Sequence, residues 1–197
     1  MNFELIDEIG KLLKNDKLNE AIQLTEAKLR EQIKSDFNKL LGKNLLHQTD
    51  LLVEYFNNFY DKVKDNLNIQ AIYGEMNDFT INCDMWFLNL FAYDKLGELD
   101  DTEWLADWED ENASKNRFVL TGYEELQEAY QDYQDNAKYK VKEILEASDI
   151  TEILIMLRYQ ELIKATKLIA KQKNLSWRRI PVFASVHDCY DTVYKAD

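Results

Sequence analysis

Glycine and proline are scarce in this chain: five Gly and a single Pro, Pro181, among 197 residues. Both punctuate turns, so their scarcity argues against a turn-rich chain and favours long helices joined by a few polar loops. Long apolar runs are missing too. No window approaches the roughly 18 apolar residues of a membrane-spanning helix, which excludes such a span. The opening stretch MNFELIDEIGKLLK carries acids and lacks the basic start and continuous apolar core of a signal peptide, so the expectation is a cytoplasmic protein. The two cysteines, Cys83 and Cys189, lie far apart and form no CxxC pair; they read as free, buried thiols rather than a disulfide or redox site. Only two histidines are present, which leaves few ligands for zinc or iron, and no metal or other cofactor is expected. GxSxG, Walker A, the Rossmann glycine pattern and HExxH are all lacking, and no catalytic residue is assigned.

What the chain does contain is a core. With 46% hydrophobic and 12% aromatic residues it is not disordered. A chain of this length hides roughly 70% of its unfolded surface and is expected to form one domain.

The formal charge of −13 is unevenly placed. Residues 1–66 carry a net −2, residues 67–135 a net −14 and residues 136–197 a net +3. The middle third thus holds the whole excess. A protein charged in this way repels nucleic-acid phosphate and anionic membrane and attracts cationic surfaces. The basic run Lys164, Lys167, Lys171, Lys173, Arg178 and Arg179 is the one stretch that points the other way. Its plainer reading is that these side chains complement a helix C-terminus or pair with acids elsewhere in the chain.

Hydrophobic spacing gives the organisation. Phe3, Ile6, Ile9, Leu12 and Leu13 predict a first helix over 3–14, and Leu18, Ile22, Leu29, Ile33, Phe37 and Leu40 a second, the two forming a helical hairpin. The stretch KLNEAIQLTEAKL resembles the second helix of a tetratricopeptide-type hairpin; it does not recur, and no binding role is carried over from that family. Leu52, Phe56, Phe59, Tyr60, Val63 and Leu67 predict a third helix, completing a helical unit over 1–66. Over 67–97, IQAIYGE and DMWFLNLFAYD are rich in β-branched and aromatic residues and read as short strands of an antiparallel sheet, with one buried helix over 84–95 as the alternative. An acidic loop with one helical turn follows over 98–116. Residues 117–175 read as helices, with capping boxes at Thr121–Glu124 and Asp149–Glu152 marking two starts. Residues 176–197 read as a terminal strand, placed at a sheet edge because Pro181 cannot donate to a ladder. The fold class is therefore α+β and predominantly α-helical: a helical hairpin and bundle with a small antiparallel β-sheet.

Three constellations could carry chemistry. His187 and Asp188, with His47 and Asp191 or Asp197, superficially follow the metal-ligand order of HD-type phosphohydrolases. The pair lies too near the last residue for that motif, and a His donating to a neighbouring carboxylate is the plainer reading. Cys189 beside His187 suggests a nucleophile, but neighbouring positions on a strand point to different sides. Glu124, Glu125, Glu128, Asp132 and Asp135 recur at helical spacing, yet the Glu-x-x-His pairs of a di-iron centre are lacking, so this is read as a solvated face. Tyr130, Tyr133 and Tyr139 are taken as packing residues with wet hydroxyls.

The stretch ELDDTEWLADWEDEN is the candidate partner-binding site. It holds eight acids and no base, and its spacing does not match a calcium loop. Trp104 and Trp108 are four apart, so on a helix they would share one face with Leu105 beside them. One reading seals that face against the core. The sharper reading is an exposed site in which Trp104 and Trp108 anchor a basic protein, with Asp100, Asp101, Glu103, Asp107, Glu109, Asp110 and Glu111 forming an acidic rim. Small, acidic, motif-free bacterial immunity proteins that block toxic nucleases share this composition. The expectation is a non-catalytic binding or inhibitor protein. A structural protein with a solubilising acidic face, and a hydrolase built on His187 and nearby carboxylates, are the alternatives.

Overall fold

The computed structural model describes residues 3–99, 101–187 and 192–197. Helices α1 (Phe3–Lys14) and α2 (Leu18–Glu31) form the expected hairpin. Leu5, Ile9 and Leu13 line one face of α1, and Leu18, Ala21, Ile22, Thr25 and Leu29 line the facing side of α2. Asp16 adopts the left-handed conformation between them (φ 55°), which turns the chain without glycine. The second apolar stripe is not one helix: α2 stops at Glu31, and Phe37 and Leu40 are buried from a separate 3-10 turn, Asp36–Leu40.

Helix α3 (Thr49–Val63) is followed by strands β1 (Ala71–Met76) and β2 (Phe87–Tyr93), so the strand reading of this region holds rather than the helical alternative. Strand β3 is short (Phe118–Val119); α4 (Glu124–Asp135) and α5 (Lys142–Gln172) follow, then β4 (Val182–Val186) and β5 (Tyr194–Ala196). The architecture is α+β and mostly helical, with a sheet in the order β3-β2-β1-β4-β5. Three pairings are antiparallel as expected, but β1 and β4 run parallel, so the sheet is mixed. The terminal region also supplies two strands, and β4 lies inside the sheet rather than at its edge. Pro181 precedes its first residue, where its carbonyl accepts the Ile72 amide at 3.1 Å and its missing N–H costs no ladder bond. β5 is the edge.

Neither capping box forms. Helix α4 starts at Glu124, whose carboxylate accepts the Gly122 amide (2.9 and 3.0 Å), while the Thr121 amide donates to Gln48 Oε1 at 2.8 Å. Asp149 and Glu152 lie inside α5, which runs unbroken for 31 residues. The interruption falls earlier, at Ala137, held in the left-handed conformation (φ 49°).

Helix α5 is buried on most sides, as its apolar run predicts, because α2, α3 and the sheet all pack on it. Tyr159 on α5 points at Gly74 of β1, and Gln160 Nε2 donates to the carbonyls of Ala184 (3.2 Å) and Thr192 (2.7 Å), fixing the helix to the sheet. Tyr130 packs with Phe37, Phe79 and Trp86 in an aromatic nest. Its hydroxyl is buried and donates to the Ser148 carbonyl at 3.4 Å, so it is not wet as the sequence suggests. Cys83 is a free, buried thiol. Among the described residues no helix is long and apolar enough to cross a membrane.

Strand alternation gives the sheet two different faces. Ile72, Met76, Leu88, Leu90, Val182 and Ala184 join the helical core. Ala71, Tyr73, Phe91, Tyr93, Phe183 and Val193 face the other way and build a second, smaller apolar cluster. Among the described residues no long helix covers this second face, and the acidic segment packs on it.

Candidate functional site

The second face of the sheet is largely aromatic, and uncovered it would leave an apolar patch in water. The chain leaves β2 at Tyr93, crosses this face, and returns to the sheet margin, where Phe91 bridges Ala113 and the Ser114 amide donates to the Leu90 carbonyl at 2.8 Å. Gly97 permits the crossing. A Cβ there would lie 2.3 Å from the Trp104 indole, so only glycine lets the ring rest against this backbone.

Trp104 and Trp108 do not share a helical face. The segment forms two separate 3-10 turns, Glu103–Ala106 and Asp110–Asn112, joined by the non-helical residues 107–109. Trp104 lies in the first turn and Trp108 in the link between the two, so they reach the same layer by different routes. Trp104 packs edge-on against Tyr93 and Phe183 (centroids 5.1 Å in each case), and its Nε1 donates to the Glu98 carbonyl at 3.2 Å. Trp108 tilts over Phe91 at 4.7 Å. Leu105 is buried between them, and the Tyr93 hydroxyl donates to its carbonyl at 2.5 Å. The apolar side chains therefore pin the segment to the sheet from below. Trp104 is half-buried, whereas 43% of Trp108 remains exposed.

The polar side chains point the other way because water solvates their charge. Asp101, Glu103, Asp107, Glu109, Asp110 and Glu111 are all exposed. Among the described residues, their one ion pair with a cation joins Asp107 to Lys95 at 3.2 Å. Lys115 donates to the Asp110 carbonyl at 3.0 Å and not to a carboxylate. Asp100 lies outside the described residues. Sequence reasoning thus found the acids and tryptophans, but not Phe91, Tyr93 and Phe183, which hold the segment in place. The alternating Phe91 and Tyr93 of FLNLFAY, and Phe183 in VFASV, were the available signal.

The other constellations come together only in part. His187 Nδ1 lies 3.1 Å from Glu75 Oε1, the neighbouring-carboxylate arrangement of the plainer reading. Asp188, Cys189 and Asp191 lie outside the described residues, so the metal-ligand order and the thiol nucleophile have no geometry to report. His47 has a different neighbour, with Nε2 3.5 Å from Thr121 Oγ1. Along α4, Glu124, Glu128, Asp132 and Asp135 edge an open cavity of about 490 Å³. Asp132 binds Lys138 and Asn136, and both hydrogen bonds hold its pKa below the usual range. Among the described residues no three His, Cys, Asp or Glu side chains converge as a metal site.

No family model matches this chain, and no curated protein or solved structure matches it at a significant level.

Proposed function

We propose that this protein is a non-catalytic binder of a basic protein, and that the acidic segment from Glu98 to Glu111 is its docking surface. The observation that carries this reading is the layered arrangement of the segment. Its tryptophans are seated on the sheet, its carboxylates face solvent, and one lysine alone pairs with them among the described residues. Concentrated negative charge on an anchored surface raises the rate of encounter with a cationic partner without needing to reorganise. Trp108 supplies an aromatic contact in the middle of the charged rim.

Among basic proteins, a nuclease toxin suits the surface best. Such an enzyme holds nucleic-acid phosphates on a cationic face, and an acidic layer occupying that face would exclude the substrate. The role is then that of an immunity or inhibitor protein.

The test is kinetic. Neutralising Asp101, Glu103, Asp107, Glu109, Asp110 and Glu111 to their amides should slow association with a bound basic nuclease by about 10–100-fold and flatten its salt dependence. Neutralising Glu124, Glu125 and Glu128 on α4 should leave association unchanged. Equal effects from both sets, or no binding across a panel of basic nucleases, would reject the reading. The seating of Trp104 favours one competitor, in which the segment only caps the sheet and maintains solubility. The same amide variant would then aggregate at neutral pH, and no partner would respond to it.

A further inference from the structure

Five lysines converge where α1 ends, α5 passes and the edge strand β5 closes the sheet. Lys14, Lys164, Lys167, Lys171 and Lys195 line a cleft of about 710 Å³, a volume in the range of small-molecule sites. The basic run in the sequence supplies three of them, and the plainer reading of that run holds for part of it, since Lys171 lies in the last turn of α5 and two of its lysines pair with distant acids. Lys164 does pair, with Asp16 at 2.8 Å, and Lys195 pairs with Asp197 at 3.1 Å. Lys173 pairs with Asp50 outside the cleft. Lys167 is different: only 2% exposed, it donates to the Ile180 carbonyl and lies 5.9 Å from the Trp177 ring. Burial lowers its pKa to about 8, and the neighbouring charges of Lys171 and Lys195 add to that effect against Asp197. Lys171 and Lys195 thus place positive charge beside this buried ammonium at one wall of the cleft.

Three carboxylates, Asp16, Glu98 and Asp197, line the cleft against its five lysines. Asp16 is held by two donors, Lys164 and the Tyr194 hydroxyl (2.8 Å each), which keep its pKa below the usual range. Its role is to brace the wall between α1 and β5. Much of the remaining lining is apolar: Leu13, Leu99 and Phe183, with Leu96 and Leu168 left 53% and 55% exposed at the cleft. Exposed leucines beside clustered lysines make a surface with two chemistries, one for a charge and one for a hydrocarbon.

We propose that this cleft binds a small amphipathic anion: a phosphate or carboxylate group on an aliphatic or aromatic body. The lysines receive the anionic head, and the leucines and Phe183 cover the apolar part. Glu98 and Leu99, the first residues of the acidic segment, edge this cleft, yet its lysines take a ligand of the opposite charge from the partner proposed above.

Octyl phosphate, octanol and inorganic phosphate, titrated calorimetrically into the full chain, separate the two contributions. Octyl phosphate should bind at least about tenfold more tightly than either of the others, since each loses one half of the recognition. Lys171→Glu and Leu168→Asp alter exposed positions and should leave the circular dichroism unchanged, while each weakens octyl phosphate by about tenfold or more. Lys173→Glu makes the same charge change outside the cleft and should have no effect. Octanol binding as tightly as octyl phosphate, or Lys173→Glu matching Lys171→Glu, would overturn the proposal.

Discussion

Replacing Gly74 with alanine tests the packing of α5 on the sheet. The residue sits in β1, hydrogen-bonded between β2 and β4 in ordinary extended backbone, so alanine meets no conformational barrier there. The obstacle is steric: a Cβ would lie 2.5 Å from the Tyr159 hydroxyl oxygen, about an ångström closer than ordinary contact. Tyr159 is fully buried on the central helix, so its rigid ring cannot swing aside without displacing the core. Overpacking of this kind costs about 1–3 kcal/mol. The Tyr159 hydroxyl is itself buried without a hydrogen-bond partner, and burial pushes its pKa well above the usual tyrosine range. Tyr159→Phe should therefore be neutral or stabilise by up to about 1 kcal/mol, because an unsatisfied buried hydroxyl is removed. The decisive measurement is the double variant. With the oxygen gone, the added methyl has room, and G74A/Y159F should recover most of the loss seen for G74A alone. Urea denaturation of the four proteins should give a coupling of at least about 1 kcal/mol with unchanged m-values. Additive effects would mean that the contact with Tyr159 is not what requires glycine.

Other expectations address charge and exposure. Glu152 is half-buried on α5, and burial, reinforced by Asp149 and Asp78, raises its pKa from 4.5 to about 7. The native state therefore keeps a proton that the unfolded chain has released, and stability falls as pH rises from about 4.5 through 7. Glu152→Gln should change little at pH 4 and stabilise by about 1–2 kcal/mol at pH 8, after allowance for partial exposure; an equal effect at both pH values in thermal melts would contradict this. Arg158 is 11% exposed at its side chain and holds Glu26 at 2.7 Å and Glu161 at 2.8 Å. Arg158→Met removes the ion pair of Glu161 and leaves Glu26 only Arg30 and the Gly42 amide, and should cost about 3 kcal/mol by chemical denaturation, with E26Q/E161Q restoring part of it. No restoration would place the cost in packing alone. Trp108 should be quenched more strongly by caesium than by iodide, because the surrounding carboxylates attract the cation, and W108F should remove most of the difference. Similar quenching by the two ions would show that the local potential is weak.

Amphipathic periodicity was enough to place the hairpin, α3 and the buried nature of α5, because a helix that must bury one face or all faces writes that demand into every third or fourth residue. The β-branched and aromatic runs of β1 and β2 were equally legible. Where helices begin was not. Thr121 and Asp149 both offer capping chemistry, yet Thr121 is drawn to Gln48 on the neighbouring turn, and Asp149 is carried inside a helix whose continuity comes from packing against α2 and the sheet. Such outcomes depend on partners distant in sequence, which local propensity cannot weigh.

Strand order belongs to the same class. Pro181 marks a position without a donor, but whether that position is at an edge depends on which strand arrives beside it, and the parallel β1–β4 pairing places β4 inside. The acidic segment shows the division most clearly. Its charge and its two tryptophans were visible in the sequence, since composition fixes how many carboxylates must remain in water. Tertiary structure alone decided that the tryptophans would sit on aromatics from two strands, and that lysines from α1, α5 and β5 would line one cleft. Side-chain chemistry is local and is written along the chain, whereas proximity between distant segments exists only once the core has closed.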